Sequence, residues 1–370
     1  KSTLVQIAGG LLGGPAIVTL CLLTVVTQAE DWSRYRGPDL NGISRETAWR
    51  SAWSGAGPKQ LWKAAIGTGF SSITVSDGRA YAMGNADDTD TVFCFDAVTG
   101  KEIWKHAYPS KLDAKYYKGG PSATPTVDGQ QVYTLSKRGR VICLDAATGA
   151  EQWSKDLAEE LGAKMPTWGF AGSVLVIGDR LFVNVGQDGT ALDKKGNVLW
   201  KTGTETSGYS THVPWAMGDQ PTLTVMTKEE VVALHPDTGK RLWAHPWKTR
   251  YDVNAADPIV TGDLVFISSG YDHGAALLRI VNGKPNLVWE SKVMRNQHNN
   301  CVLIDGHLYG FDGDKNSDLK CVELMTGQEK WAHKGLGKGA LIAADGKLIA
   351  LSEKGELVVA PADPAGFNPT

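Results

Sequence analysis

The sequence predicts an all-β protein, a β-propeller of four-stranded blades. Two markers that keep one register predict it. The first is a series of seven tryptophans, Trp62, Trp104, Trp153, Trp200, Trp243, Trp289 and Trp331, spaced 42 to 49 residues apart. The second is a two-residue turn in each cycle: Asp77-Gly78, Asp128-Gly129, Gly178-Asp179, Gly218-Asp219, Gly262-Asp263, Asp305-Gly306 and Asp345-Gly346. A period in the forties made of short strands is the mark of propeller blades.

The second cycle shows the content of one repeat. Pro125-Thr126-Val127 is a short extended run, and Asp128-Gly129 supplies a tight hairpin turn. Gln131 to Leu135 and Val141 to Leu144 read as strands, the latter apolar throughout as in a strand covered on both faces. Asp145-Ala146-Ala147-Thr148-Gly149 reverses the chain into the strand that carries Trp153. The phrase Asp-Ala-x-Thr-Gly-x-x-x-Trp is intact at Asp96–Trp104 and Asp145–Trp153 and looser before Trp243 and Trp331. Before Trp200 and Trp289 only Gly196 and Gly283 survive of it. Threonine and aspartate bond the turn backbone, and glycine takes the left-handed position. Each tryptophan is then expected to pack between neighbouring blades rather than to line a cofactor site.

This pattern resembles the pyrroloquinoline-quinone (PQQ)-like repeat family of propellers. That family includes the propeller lipoprotein of the outer-membrane β-barrel assembly machinery and, more distantly, the quinoprotein alcohol dehydrogenases. The resemblance covers roughly residues 60–360. It implies a ring that is commonly eight-bladed. Seven repeats are visible here, which suggests an eighth cut off after the linker-like stretch 361–370.

The remaining segments divide the chain further. Residues 1–29 hold an apolar stretch from Leu11 to Val26 followed by Thr27-Gln28-Ala29, the pattern of a secretory signal peptide. Export to the periplasm or an equivalent compartment follows, and a membrane contact is expected only if that signal stays uncut. Residues 30–60, with Trp32, Tyr35 and Arg36, are too aromatic for a flexible linker and are expected to dock on the ring formed by 61–360. Cys94, Cys143 and Cys321 share one repeat slot. They are expected, with Cys301, to be unpaired core residues, because equivalent slots in different blades lie too far apart for a disulfide. With 38 basic and 40 acidic side chains and no basic block, nucleic acid is not an expected partner.

Function in a propeller is expected on loops at one end of the channel, in the segments before each first strand. The candidate binding face there is Trp168, His212, Trp215, Tyr251, Asp252, Asn254, His298 and Asn299. The quinoprotein resemblance implies an aspartate base, a calcium held by Glu, Asn and Asp, and an adjacent cysteine pair. No residues here match that set, so neither PQQ with calcium nor a catalytic residue is expected. Asp312, Asp314, Asn316 and Asp318 mimic the spacing of a calcium loop, but Ser317 stands where such a loop needs glycine. The reading is a non-catalytic exported scaffold that binds a protein partner or small ligand through its channel-end loops. A PQQ-dependent oxidoreductase or a degenerate relative, and a carbohydrate-binding module resting on Trp168, His212, Trp215 and Tyr251, remain as alternatives.

Overall fold

A computed structural model describes residues 30–53, 55, 57–114, 117–314 and 317–370. The expected signal peptide therefore lies outside the described residues. Seven four-stranded sheets carry the fold, and the only helix among the described residues is the single turn Leu157–Leu161. Six sheets are runs of four consecutive antiparallel strands. Blade 1 is Thr74–Ser76, Arg79–Ala86, Thr89–Asp96 and Glu102–Pro109. The first strands of blades 2 to 6 are Thr126–Asp128, Leu175–Ile177, Val213–Met217, Ile259–Thr261 and Val302–Ile304. Neighbouring first strands touch along most of the ring, so they line the channel and the tryptophan-bearing fourth strands lie outermost. The seventh sheet joins the two ends of the chain. Ile43–Ser44 runs parallel to Ala340–Ala344, which is followed by Lys347–Leu351 and Leu357–Pro361.

The order of aspartate and glycine decides the geometry of each inner hairpin. At Asp77-Gly78, Asp305-Gly306 and Asp345-Gly346 both residues have positive φ, the type I′ arrangement. At Gly178, Gly218 and Gly262 only the glycine does, as in type II′ turns. Asp128 stays in its strand opposite Gln131, so Gly129 takes the first turn position and joins the second group.

The tryptophans do the same job blade after blade. Each is paired across the outer two strands with a small or apolar residue: Cys94, Cys143, Ala191, Ala233, Leu277 and Cys321. A bulge follows that pair at the same place in all six blades. The indole then reaches the outer turn of the next blade. Trp104 Nε1 donates to Ala146 O at 3.0 Å, Trp153 to Lys194 O at 2.9 Å, Trp200 to Pro236 O at 2.8 Å, Trp289 to Leu324 O at 2.8 Å and Trp331 to Asp363 O at 2.8 Å. Trp62, which lies in no strand, donates to Ala97 O of blade 1 in the same way. The turn glycine lies on the ring face. A Cβ at Gly149, whose φ is +73°, would come within 2.5 Å of the Trp104 ring.

Trp243 is the exception. The turn before Trp289 is the two-residue Asn282-Gly283 hairpin, too short to reach back, and the buried Trp243 Nε1 has no partner among the described residues. The sequence cause is the shortening of this turn to Asn282-Gly283, since the turn before Trp200, which also lacks the phrase, still offers Lys194 O to Trp153.

Six apolar clusters fill the six consecutive seams from blade 1 to blade 7, each drawing side chains from two neighbouring sheets. The four cysteines among the described residues are buried in these clusters and free. Burial pushes the Cys94, Cys143 and Cys321 thiols up to about 11 and Cys301 to about 12. Residues 362–370 fold back on the last sheet. The Phe367 ring lies tilted 5.5 Å from that of Trp331, and Thr370 N–H donates to Val359 O at 2.9 Å.

Two outcomes are expected. Trp200→Phe should cost about 1 kcal/mol more than Trp243→Phe, because only the first removes a hydrogen bond; chemical-denaturation midpoints of the two variants check this. Cys94, Cys143, Cys301 and Cys321 should resist alkylation at pH 8 in the folded protein and each take one label after unfolding, read by peptide mass spectrometry.

Candidate channel-end site

The loops that enter first strands and the loops between second and third strands share one end of the channel. Two features are built there. The first is a hydrogen-bonded girdle made by the residue two positions before each first strand. Ser72 N–H donates to Thr124 Oγ1 at 3.0 Å, Thr124 N–H to Ser173 Oγ at 2.9 Å and Ser173 N–H to Thr211 Oγ1 at 3.0 Å. Thr211 N–H then donates to Asp257 Oδ1 at 2.7 Å, and Asp257 N–H to Asn300 Oδ1 at 2.9 Å. Every link ties one blade to the next. The equivalent position in blade 7 is Lys338, and there Asn299 Nδ2 instead bonds Gly339 O. The girdle residues share a sequence signal, a short polar side chain at a fixed offset, that was open to reading beside the tryptophans.

The second feature is an arc of aromatic rings on the loops above the girdle. Phe70, exposed, stands 5.5 Å from Tyr117. The Tyr117 hydroxyl donates to Trp168 O at 3.3 Å, and the Trp168 ring meets Tyr209 edge-on at 6.0 Å. Beyond Tyr209, whose N–H donates to Asn254 O at 3.0 Å, the exposed Tyr251 meets Tyr271 edge-on at 5.1 Å. The Arg250 guanidinium covers the Tyr251 ring at 5.2 Å and the Lys137 ammonium covers Tyr117 at 4.9 Å. The arc thus spans the entry loops of five blades.

The eight residues expected on the binding face separate into three groups. Trp168, Tyr251 and Asp252 lie on the arc; Asp252 pairs with Lys228 at 3.4 Å. His298 and Asn299 line a small groove with Gln297, Phe311 and Lys338 between blades 6 and 7. The other three do not belong to the face. His212 is fully buried, its Nε2 against Asp188 O at 3.0 Å, and burial lowers its pKa to about 4, so it is a neutral interior imidazole. Asn254 is equally buried. Its Nδ2 donates to Thr227 O, Lys228 O and Trp247 O, and its Oδ1 accepts from Ser269, so nothing remains for a ligand. Trp215 sits mid-strand, donates to Thr224 Oγ1 at 2.7 Å, and lines a groove toward the opposite end with Met217, Gly218, Gly262 and Asp263. The sequence offset placed these three by loop position, whereas their side chains alternate inward against the neighbouring blade.

The acidic loop is likewise committed to its own scaffold. Asp312 is buried and holds Arg295 Nη2 at 2.9 Å and Lys320 Nζ at 2.8 Å, which keep its carboxyl below the usual range against the opposing effect of burial. Asp318 faces Asp312 across the hairpin, Asp314 is in the loop, and Asn316 lies outside the described residues.

The chain's own N-terminal segment runs along the channel. Trp32, Ser33, Arg34 and Arg36 bond the inner strands of blades 1, 2 and 3 and the residue preceding that of blade 6. The four described cysteines sit singly within blades or beside their first strands, away from any sulfur pair. The residues present do not fit PQQ with calcium.

Asp257 is the titratable group of the girdle. Burial raises its pKa to about 6, with Arg36 and the bonds from Thr211 and Asn300 opposing the rise. A carboxyl raised above its unfolded value of about 3.9 favours folding least when charged, so the penalty is absent below about pH 4 and complete above about pH 6. Asp257→Asn keeps the acceptor for Thr211. Its stability relative to wild type should therefore rise by roughly 2–3 kcal/mol between pH 4 and pH 8, measured by denaturation at both pH values.

The comparisons with known proteins agree with this architecture. A family model described as outer membrane protein assembly factor BamB matches residues 40–120 and 88–333. No curated protein matches the sequence. Among solved structures, BamB from Moraxella catarrhalis is similar with a TM-score of 0.56 at 16% identity, over 79% of this chain and 80% of that one. Quinohemoprotein alcohol dehydrogenase from Comamonas testosteroni has a TM-score of 0.65 at 14% identity, over 92% of this chain and 72% of that one. A europium-containing methanol dehydrogenase has 0.54 at 12%, over 90% of each. At these identities the structures speak for the fold alone, and the family rests on the sequence match over most of the repeats: the chain belongs to the PQQ-like propeller family described as outer membrane protein assembly factor BamB.

Proposed function

We propose that this protein is a non-catalytic scaffold of an exported compartment that holds a protein partner through its channel-end loops, in the assembly of outer membrane proteins that its family description names. The aromatic arc carries the proposal. Phe70, Tyr117 and Trp168 stand on the entry loops of blades 1 to 3, and Tyr251 with Tyr271 on blade 5, across the buried Tyr209 of blade 4. Rigid rings with few rotatable bonds, flanked by Arg250 and Lys137, are the side chains that dominate protein interfaces. Their backbone is fixed by the girdle beneath, so little order has to be imposed when a partner arrives. Export rests on the apolar leader read in residues 1–29. No helix among the described residues is long and apolar enough to cross a membrane.

A photo-reactive amino acid placed in living cells at Phe70 or Tyr251 should yield a discrete protein adduct, and one placed at Val98 or Met325 on the opposite end should not. For the partner so identified, Trp168→Ala with Tyr251→Ala should weaken binding by about 2 kcal/mol or more, roughly thirtyfold, without moving the melting temperature. Adducts that form equally from both ends would refute the proposal.

A further inference from the structure

The repeat is broken twice at one seam, the one between blades 4 and 5. In blades 1, 2, 3, 5 and 6 the tryptophan has a second ring beside it from its own blade. These rings are Tyr81, Tyr133, Phe182, Phe266 and Tyr309, with centroids 5.9 to 6.2 Å from the indole. In blade 4 their register position is held by Thr224, which pairs with Ala233, the cross-strand partner of Trp243. The second break is on blade 5. In blades 1, 2 and 6 one residue, Ala97, Ala146 or Leu324, donates its N–H to the inner hairpin and accepts the indole N–H on its carbonyl. In blade 5 the residue that donates to the inner hairpin is Ile280, to Asp263 O at 2.8 Å. It remains within its strand, and the chain turns only at Asn282-Gly283.

A groove of about 280 Å³ opens at this seam. Trp215, Met217 and Ile280 wall it, with Gly218, Gly262 and Asp263 from the two inner hairpins. Its walls tie it to both breaks, since Trp215 Nε1 donates to Thr224 Oγ1 at 2.7 Å and Ile280 holds the turn position. Trp243 belongs to the same apolar cluster as these walls and is 5% exposed, yet its Nε1 has no partner among the described residues. A buried donor without an acceptor is destabilising, and a ligand that brings one recovers that cost on binding. We propose that this groove is a second binding site and that it takes a peptide turn of a partner protein. It lies at the end opposite the aromatic arc and does not depend on the role proposed for the arc.

The chain's own seams define what fits there. At Trp104, Trp153 and Trp200 the acceptor is a backbone carbonyl of a turn, at 2.8 to 3.0 Å. Behind that carbonyl a glycine lies on the ring face: a Cβ at Gly149 or Gly239 would come within 2.5 Å of Trp104 or Trp200. The partner's turn therefore offers Trp243 a carbonyl and, on the face of the ring, a glycine. Charge adds a third requirement. Asp263 is paired with Arg279 at 3.5 Å, whereas Asp219, exposed beside Gly218, forms no ion pair among the described residues. A basic side chain next to the glycine complements it.

The capped hexapeptide Asp-Ala-Val-Thr-Gly-Lys, the sequence of residues 96–101, has all three features and serves as the probe. It is titrated into the ¹⁵N-labelled full chain up to about 10 mM, a range that saturates a weak peptide site. The indole N–H signal of Trp243, assigned by its loss in Trp243→Phe, should move downfield and saturate. The signals of Trp104 and Trp200, whose donors are already bonded, should stay in place. Valine in place of the peptide's glycine should weaken binding roughly tenfold or more. Ala216→Phe, at an exposed position on the groove wall, should do the same without moving the melting temperature. Asp219→Asn should weaken binding about threefold. No saturable shift at Trp243, or an equal shift at Trp104 and Trp200, would overturn the proposal. So would binding that is indifferent to the peptide's glycine or to Ala216→Phe, because the ligand would then not sit as a turn in this groove.

Discussion

The structure depends on one repeated contact, the tryptophan indole laid on the outer turn of the following blade. It combines burial of a large ring with a directional bond, so it fixes both the spacing and the angle between sheets. Its requirements explain the repeat. A bulge beside the cross-strand partner turns the ring outward from its own blade, a glycine leaves room for its face, and a carbonyl in the turn receives its N–H. Where the turn is shortened, before Trp289, the donor of Trp243 is left without an acceptor and that tryptophan holds its seam by apolar packing alone.

The entry loops are tied to one another by the girdle, whose links change from hydroxyl to carboxyl and amide between Thr211 and Asn300. Above it the loops differ from blade to blade and carry the aromatic arc. Below it the N-terminal segment occupies the channel. The entry-loop end thus varies from blade to blade, while the N-terminal segment bonds the inner strands within the channel.

The scaffold was legible in the sequence because its determinants are local. An Asp-Gly or Gly-Asp pair sets its own hairpin, and Trp153 follows Gly149 in one short stretch. The position of the functional end was legible too, since entry loops precede first strands. Which loop residues face outward was not. His212 and Asn254 are polar residues in the right loops, yet each is buried by contacts from a neighbouring blade that sequence offset does not encode. Trp215 was misplaced because its strand begins at Val213. Asp257 shares the girdle's fixed offset in the sequence, but its role lies in bonds to Thr211 and Asn300, 46 and 43 residues away. The pairing of Ile43 with Ala343 lies beyond any local signal for the same reason.

The family shares its propeller with quinone enzymes, so the central claim is that this channel is filled by the chain itself and serves a scaffold. The absorption spectrum of the purified protein after incubation with PQQ and calcium, followed by desalting, tests it most directly. The account predicts a spectrum with no retained quinone band. A stoichiometric quinone band that survives desalting would contradict it.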